Sequence, residues 1–199
     1  WKCYIAKLEN AWKKAVSDDD TVVIPGDISW AMNLKEAKAD LLFLDALPGK
    51  KIISRGNHDY WWDTVKKLTE FFEKNEIKTI SLLHNNAYIV ENILITGTRG
   101  WYPDEKNAPP EADHSKIIAR EAGRLTLSAE AGQKLVSALP PQEAEKIVKC
   151  TFMHFPPVFR DYVCREIVDV LHRYEIKRCY YGHIHGVYDM PAVRELEGI

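Results

Sequence analysis

The chain has 199 residues, with 27 Lys and Arg against 29 Asp and Glu, and a formal net charge of −2. Hydrophobic residues make up 46% and charged residues 28%, which is ordinary for a folded globular domain and excludes a disordered chain. The near-neutral charge argues against broad, sequence-blind nucleic-acid binding, which needs a basic face. No apolar run approaches the ~18 residues of a membrane span, so we expect no membrane partner.

The cysteines are typical of a reducing compartment. The chain has four, Cys3, Cys150, Cys164 and Cys179, and no two of them have CxxC spacing. This pattern indicates reduced packing residues and not a disulfide framework or a thiolate zinc site. We therefore predict a cytoplasmic protein.

Helix and strand patterns alternate in the first part of the chain. Apolar residues at helical spacing predict a helix over residues 1–16, and the β-branched run TVVI predicts a buried strand at 21–24. Asn33, with Glu36 three residues later, has the pattern of a capping box at the start of a second helix. A second strand, KIIS at 51–54, and a third amphipathic helix follow. This alternation predicts a parallel sheet covered by helices.

An antiparallel element is predicted in the middle of the chain. AYIV at 87–90 and ILIT at 93–96 are separated by only two residues, which is typical of a β-hairpin. Residues 103–113 contain three prolines and are predicted to form a loop. Residues 114–138 have a helical pattern that two glycines weaken.

The last part of the chain returns to the alternating pattern. KIVKCTFM at 146–153 and KRCYY at 177–181 predict two further strands, with an amphipathic helix between them. No internal repeat or linker is visible, so we predict a single domain over residues 1–199. Because residue 1 is a Trp that already lies in a helical pattern, we expect this domain to be incomplete at its N-terminus.

Residue types that bind metal ions follow four of the predicted strands. They are Asp27, Asn57, His58, Asp59, His154, His183 and His185. The carboxyl ends of strands in α/β sheets are where loops converge and ligands bind. Carboxylate, amide and imidazole donors together suit a borderline-to-hard divalent metal ion such as Mn, Fe, Zn or Co. A pair of such ions ~3.5–4 Å apart can clamp a phosphate and lower the pKa of a bridging water.

The motifs at these strand ends resemble those of a known family. PGDIS at 25–29, RGNHD at 55–59, MH at 153–154 and GHIH at 182–185 occur in the order of the calcineurin-like metallophosphoesterase superfamily. The resemblance implies an α/β fold in the form of a four-layer αββα sandwich with two mixed β-sheets. It also implies a site at the carboxyl ends of the strands.

The resemblance assigns a metal-binding role to five of these residues. Asp27 resembles the carboxylate that bridges two metal ions, and Asn57, His154 and His183 would complete one metal site with it. His185 would serve the second ion. The implied cofactor is therefore a pair of divalent transition-metal ions.

Two residues are assigned catalytic roles by the same resemblance. His58 resembles the group that contacts the substrate phosphate and protonates the leaving oxygen. Asp59 would orient His58 through a hydrogen bond and keep it charged.

The chain departs from the family pattern at two points. No D-x-H motif precedes Asp27, and Trp30 stands where the GD-x-x-D motif has its last acid. We interpret the first departure as truncation, and the chain end only 14 residues after His185 suggests that C-terminal strands are missing as well.

Each site residue also has an ordinary structural explanation. The explanations are a turn acid for Asp27, the N-cap of a helix over 60–73 for Asp59, a satisfied buried side chain for His154, and alternate strand positions for His183 and His185. The occurrence of all of them in order, each after a strand, favours the metal site.

Three residues near the motifs leave two interpretations open. Arg99, between glycines after a strand, can bind a substrate phosphate bidentately or pair with a surface acid. Trp30 and Trp101 can form an aromatic rim for a nucleobase or aryl group, or pack in the core.

These observations predict a metal-dependent phosphoesterase. It would hydrolyse a small phosphomono- or diester by attack of a metal-bridging hydroxide, with His58 as general acid. One alternative is a non-catalytic scaffold or binding protein that retains the fold. Another is a nuclease or cyclic-nucleotide phosphodiesterase.

Overall fold

The computed structural model describes residues 3–102, 113–187 and 189–199 of the chain. The contacts group the chain into two compact units, Trp1–Leu82 and Leu83–Ile199, which we call the first and second unit. The helices are α1 Tyr4–Ala15, α2 Leu34–Ala46, α3 Val65–Lys74, α4 His114–Ser137, α5 Pro141–Ala144 and α6 Arg165–Arg173. The strands are β1 Thr21–Ile24, β2 Lys50–Ile53, β3 Ile80–Leu82, β4 Tyr88–Val90, β5 Ile93–Thr98, β6 Val148–Met153, β7 Val158–Phe159, β8 Tyr162–Val163 and β9 Arg178–Tyr181. The predicted α/β class is confirmed, whereas the single-domain assignment stays a prediction.

The first unit is built on a three-stranded parallel sheet in the order β1-β2-β3. Helix α2 lies between β1 and β2 in the chain and α3 between β2 and β3, as the alternating pattern predicts. Val23 lies opposite Ile52, and Ile53 lies opposite Leu82. Because neighbouring strands run in the same direction, the loops that follow β1 and β2 leave the same edge of the sheet.

The start of α2 follows its sequence signal. The Asn33 side chain accepts a hydrogen bond from the backbone N–H of Glu36 (3.1 Å), and the Glu36 carboxylate accepts one from the N–H of Met32 (3.0 Å). These bonds satisfy N–H groups that have no partner inside the helix. The predicted cap is therefore confirmed, with the return bond one residue further upstream than in the usual capping box.

The start of α3 differs from its sequence signal. The helix begins at Val65, and its N-cap is Thr64, whose side chain accepts from the N–H of Lys67. The alternative of a helix over 60–73 capped by Asp59 is therefore wrong. Trp61 and Trp62 are buried in the core of this unit but precede the helix.

Lys51 is a buried residue that the strand pattern did not reveal. Its side chain is fully buried, and its Nζ donates to the carbonyl oxygens of Asp45 (3.2 Å), Leu47 (2.6 Å) and Gly49 (2.8 Å). Burial lowers the pKa of this ammonium group from its ordinary value, because the charged form loses its water. Lys51 thus satisfies carbonyl groups at the end of α2 and in the turn after it.

The second unit contains a mixed four-stranded sheet in the order β4-β5-β6-β9. Strands β4 and β5 form the predicted hairpin, with Val90 opposite Ile93, and the remaining pairs are parallel. Strands β7 and β8 form a separate small hairpin. The mixed sheet that the sequence predicts is confirmed here.

Helix α4 covers the predicted helical segment and explains one of its glycines. A Cβ at Gly132 would lie 2.9 Å from Leu94 Cδ2, so the glycine allows close packing of the helix on β5. Gly123 has no such neighbour. Ten residues of the predicted 103–113 loop, residues 103–112, lie outside the described part of the chain. Asp113, the last residue of that loop, is the N-cap of α4 and accepts from the N–H of Lys116.

In the described parts of the chain, no helix combines the length and the apolar character that a membrane span requires.

Candidate functional site

The loops after β1 and β2 are joined by the carboxylate of Asp59. This side chain is 0% exposed and accepts hydrogen bonds from five N–H groups. The donors are the backbone N–H groups of Asp27 (2.8 Å), Ile28 (2.8 Å), Ser29 (3.1 Å) and Gly56 (2.7 Å) and the indole Nε1–H of Trp61 (3.1 Å). Hydrogen bonds to an ionised group are stronger than those between neutral groups. Asp59 therefore holds the two motif loops of the first unit in one arrangement.

This arrangement corrects the predicted contact between Asp59 and His58. Both carboxylate oxygens of Asp59 are occupied by the five N–H donors, and the ring of His58 is not among them. The predicted hydrogen bond in which the His58 ring donates to Asp59 is therefore wrong in this structure. A catalytic role for Asp59 stays a prediction.

Asp27 is held in an uncommon backbone conformation. Its φ is 56°, in the left-handed region, and its Oδ1 accepts from the backbone N–H of His58 (3.0 Å). A Cβ at Gly56 would lie 2.1 Å from this Oδ1, so only glycine fits at that position. Strained residues of this kind cluster at functional sites, and the close approach of the two loops places the Asp27 carboxylate beside the GNHD motif.

The ring of His58 is packed between two aromatic side chains. Its centroid lies 3.8 Å from that of Trp30, with an interplanar angle of 8°, and 6.1 Å from that of Tyr60 in an edge-to-face arrangement. The Tyr60 hydroxyl lies 3.5 Å from His58 Nδ1. Trp30 itself is 67% exposed. The rim interpretation of Trp30 thus agrees with its exposure, but its contact is with His58. Asn57, between Gly56 and His58, is half-buried.

His154 and His183 come together in the second unit. They follow β6 and β9, parallel neighbours in which Met153 lies opposite Tyr181. Their ring centroids are 5.1 Å apart, and each ring also contacts Phe155. His154 is 1% exposed, and His183 has a left-handed φ of 66°. The predicted pair of imidazole ligands therefore lies side by side at one edge of the sheet.

His185 is placed differently from these two histidines. It is exposed, two residues beyond His183. Among the described residues at this edge of the sheet, ring contacts join His154, Phe155 and His183, and His185 takes part in none of them. Its assignment to a second metal ion stays a prediction.

Arg99 belongs to the same edge of the second unit. It follows β5, which pairs with β6, and its carbonyl oxygen accepts from the N–H of Phe155 (2.9 Å). Its guanidinium carbon lies 5.4 Å from the Phe155 ring centroid and 5.8 Å from that of Trp101. Both distances are within the range of cation–π contacts. Arg99 is half-buried between aromatic rings and shares Phe155 as a neighbour with His183.

If Arg99 binds the substrate phosphate as the first interpretation predicts, Arg99→Ala is expected to lower kcat/KM for a phosphate ester by roughly 10–100-fold, because that charge-assisted contact is then lost. Arg99→Lys keeps the charge but not the fork of donors and should recover only part of this loss. Steady-state kinetics measure the effect, with Arg120→Ala on the exposed side of α4 as the control. Unchanged kinetics in Arg99→Ala would leave the guanidinium with a packing role alone.

Trp101 supports the packing interpretation. Its Nε1–H donates to His114 Nδ1 (3.1 Å), and its ring contacts Phe155 at 5.7 Å. The Tyr162 hydroxyl donates to the Trp101 carbonyl oxygen. These contacts tie Trp101 to α4 and to β8 and give it a structural role.

The surroundings of the predicted metal ligands bear on whether they can hold a metal ion. Among the described residues, no group of three or more His, Cys, Asp or Glu side chains is arranged to hold a metal ion. The donor types within each unit nevertheless suit a divalent metal ion. In the first unit the Asp27 carboxylate lies against the GNHD loop, which itself carries the Asn57 amide, and two neighbouring imidazoles occur in the second unit. The residues therefore fit the cofactor in their chemistry.

The comparisons with known proteins place this chain in a family. The model of the calcineurin-like phosphoesterase family matches residues 2–187, and the chain therefore belongs to this family. Members of the family usually bind two divalent metal ions, and the family is one of phosphoester hydrolases that includes non-catalytic members.

A solved structure that is similar to the chain is the crystal structure of TT1561 of Thermus thermophilus, with 14% sequence identity and a TM-score of 0.46. The match covers 81% of this chain and 68% of the other. No curated protein shows significant similarity to the chain.

Proposed function

We propose that the protein is a metal-dependent phosphoesterase that hydrolyses a small phosphomono- or diester. The observation that carries the proposal is the pair of loops joined by Asp59, which places the Asp27 carboxylate beside His58. Family membership supports the same reaction class. The intact GNHD motif supports an enzyme over a scaffold, because a scaffold has no need of His58.

The residues that would hold the metal ions are those that the family resemblance assigns. They are Asp27, Asn57, His154, His183 and His185. When bound, divalent ions at such a site act as Lewis acids on the phosphate and help to generate a nucleophile from water. Their identity is left to experiment, with manganese as the first ion to try.

His58 would supply a proton in the bond-breaking step. The oxygen of a water molecule joins the phosphorus while the bond from phosphorus to the leaving oxygen breaks. The electron pair of that bond goes to the leaving oxygen, which takes a proton from protonated His58. The attacking water releases one proton to solvent, and His58 regains its proton from solvent. The products are an alcohol and inorganic phosphate from a monoester, or an alcohol and a phosphomonoester from a diester. Arg99 would bind a non-bridging phosphate oxygen through its guanidinium group.

The metal dependence of hydrolysis tests this proposal. After treatment with a chelator and dialysis, the protein is expected to hydrolyse p-nitrophenyl phosphate or bis(p-nitrophenyl) phosphate at least about tenfold faster with Mn²⁺ than without it. Release of p-nitrophenol measures the rate, and the ester preferred identifies a mono- or diesterase. Equal rates with and without every ion in a series of Mn²⁺, Fe²⁺, Co²⁺ and Zn²⁺ would contradict a metal-dependent reaction.

A further inference from the structure

The orientation of His58 requires partners other than Asp59. An imidazole ring can rotate about two side-chain bonds, so a general acid must be fixed by its neighbours if its proton is to point at the leaving oxygen. The carboxylate of Asp59 is fully used by the loop N–H groups. The contacts of the His58 ring among described residues are those with Trp30 and Tyr60.

Trp30 is held where it can stack on His58. The N–H groups of Ile28 and Ser29 bind Asp59, and the N–H of Ala31 binds the Ser29 hydroxyl (3.2 Å). The Ser29 hydroxyl in turn donates to the Asp40 carboxylate on α2. The backbone on both sides of Trp30 is thus fixed, although the indole is 67% exposed. Core packing does not account for a side chain this exposed, and the ring contact of Trp30 among the described residues is the stack on His58.

Tyr60 approaches the same ring from its edge. A turn in which the N–H of Tyr60 bonds the carbonyl of His58 (2.9 Å) brings the phenol alongside the imidazole. The hydroxyl then lies 3.5 Å from Nδ1. With one face against Trp30 and Nδ1 near the Tyr60 hydroxyl, Nε2 is the nitrogen left for another partner.

We propose that Trp30 and Tyr60 are positioning residues that hold the His58 ring with Nε2 directed at the leaving oxygen of the substrate. This inference rests on the proposed phosphoesterase function. Trp30 occupies the position at which the family motif has an acid. An indole that stacks on the face of the His58 ring would therefore orient this ring in place of an acid that could bind it through a hydrogen bond or an ion pair.

The dependence on the leaving group distinguishes this role from a merely structural one. Phenol is a much weaker acid than p-nitrophenol, so its release from a phosphate ester depends more on proton donation. Both leaving groups carry an aromatic ring, and a difference in stacking on Trp30 would appear in KM, whereas a loss of proton donation appears in kcat. Loss of His58 orientation should therefore slow the hydrolysis of phenyl phosphate more than that of p-nitrophenyl phosphate.

The experiment compares kcat and KM for these two esters, with Mn²⁺, in Trp30→Ala, Trp30→Phe and Tyr60→Phe. His58→Ala is the reference, and Met32→Ala, which removes another exposed side chain of the same loop, is the control. We expect Trp30→Ala to lower kcat for phenyl phosphate by about 10–100-fold and kcat for p-nitrophenyl phosphate several-fold less. Trp30→Phe should recover most of the loss, Tyr60→Phe should show a smaller loss of the same kind, and Met32→Ala should match the wild type.

Two results would overturn the positioning role alone. One is an equal loss of kcat for both esters, and the other is a change confined to KM, which would make Trp30 a platform for the substrate. If the wild type hydrolyses only diesters, diphenyl phosphate and bis(p-nitrophenyl) phosphate replace the two monoesters in the same comparison. Wild-type protein that hydrolyses neither the monoesters nor these diesters would overturn the proposed function and this inference with it. Because Trp30 is exposed, its variants are expected to fold, and equal thermal unfolding midpoints verify this.

Discussion

Replacement of Asp27 by asparagine is expected to lower kcat/KM of the metal-loaded protein by about 1,000-fold or more. The reason is that the variant loses the negative charge of the proposed bridging ligand. Changes of groups beyond the direct ligands already cost about 10–100-fold in metalloproteins. Asparagine tolerates the left-handed φ of 56° at this position, and its amide oxygen can still accept from the N–H of His58. The fold should therefore survive while metal affinity falls.

Two measurements separate these effects. Titration calorimetry with Mn²⁺ should show weaker binding to Asp27→Asn, and a thermal melt should show an unfolding midpoint close to that of the wild type. Asp19→Asn, in the exposed turn before β1, is the matched control and should change neither binding nor activity. Retained metal-dependent turnover in Asp27→Asn would count heavily against this residue as a ligand.

Replacement of Asp59 by asparagine is expected to lower the free energy of unfolding by about 3–6 kcal/mol. The asparagine amide has one acceptor oxygen in place of two. Its NH₂ group stands where the second oxygen was and cannot accept hydrogen bonds from the N–H donors around it. With the amide oxygen toward Ile28, Ser29 and Trp61, the N–H groups of Asp27 and Gly56 lose their partner. Each of these bonds to a charged, buried acceptor contributes about 1.5–3 kcal/mol.

Urea unfolding monitored by tryptophan fluorescence measures this loss, since Trp61 is both buried and bonded to Asp59. Asp63→Asn is the matched control, because Asp63 is an acid only four residues away whose partners are the surface Lys67 and the N–H of Thr64, and an asparagine oxygen can still accept from that N–H. It should have little effect on stability. A value for Asp59→Asn as small as that of the control would mean that the two loops keep their arrangement without this carboxylate.

Local patterns predicted most of the secondary structure. The hairpin of β4 and β5, the cap of α2 and the parallel strands β1 and β2 were all readable, because each depends on residues adjacent in the chain. Strand β3 was not predicted, since three residues, Ile80–Leu82, are too few to show a period. The start of α3 was misplaced because Trp61 matches the apolar spacing of the helix but belongs to the preceding turn.

The candidate site was predictable in its residue types but not in its contacts. The donors at the strand ends were visible as motifs, and the pairing of His154 with His183 follows from β6 and β9 being parallel neighbours. The real partners of Asp59 lie up to 32 residues away in the chain, and no local pattern predicts them. The sequence predicts a rim or core position for Trp30 beside the motif, but the contact of Trp30 with His58 has no sequence signal.

The sequence by itself determined the order of the strands, the metal-binding residue types at their ends and, through them, the family. These properties depend on residues that are close together in the chain, so their spacing and chemistry are already present in the sequence. The tertiary structure alone decided that Asp59 joins two loops, that Gly56 leaves room for the Asp27 carboxylate and that the Trp30 ring stacks on His58. Those contacts depend on the register of parallel strands and on backbone angles in the loops, which set distances between residues that are remote in sequence.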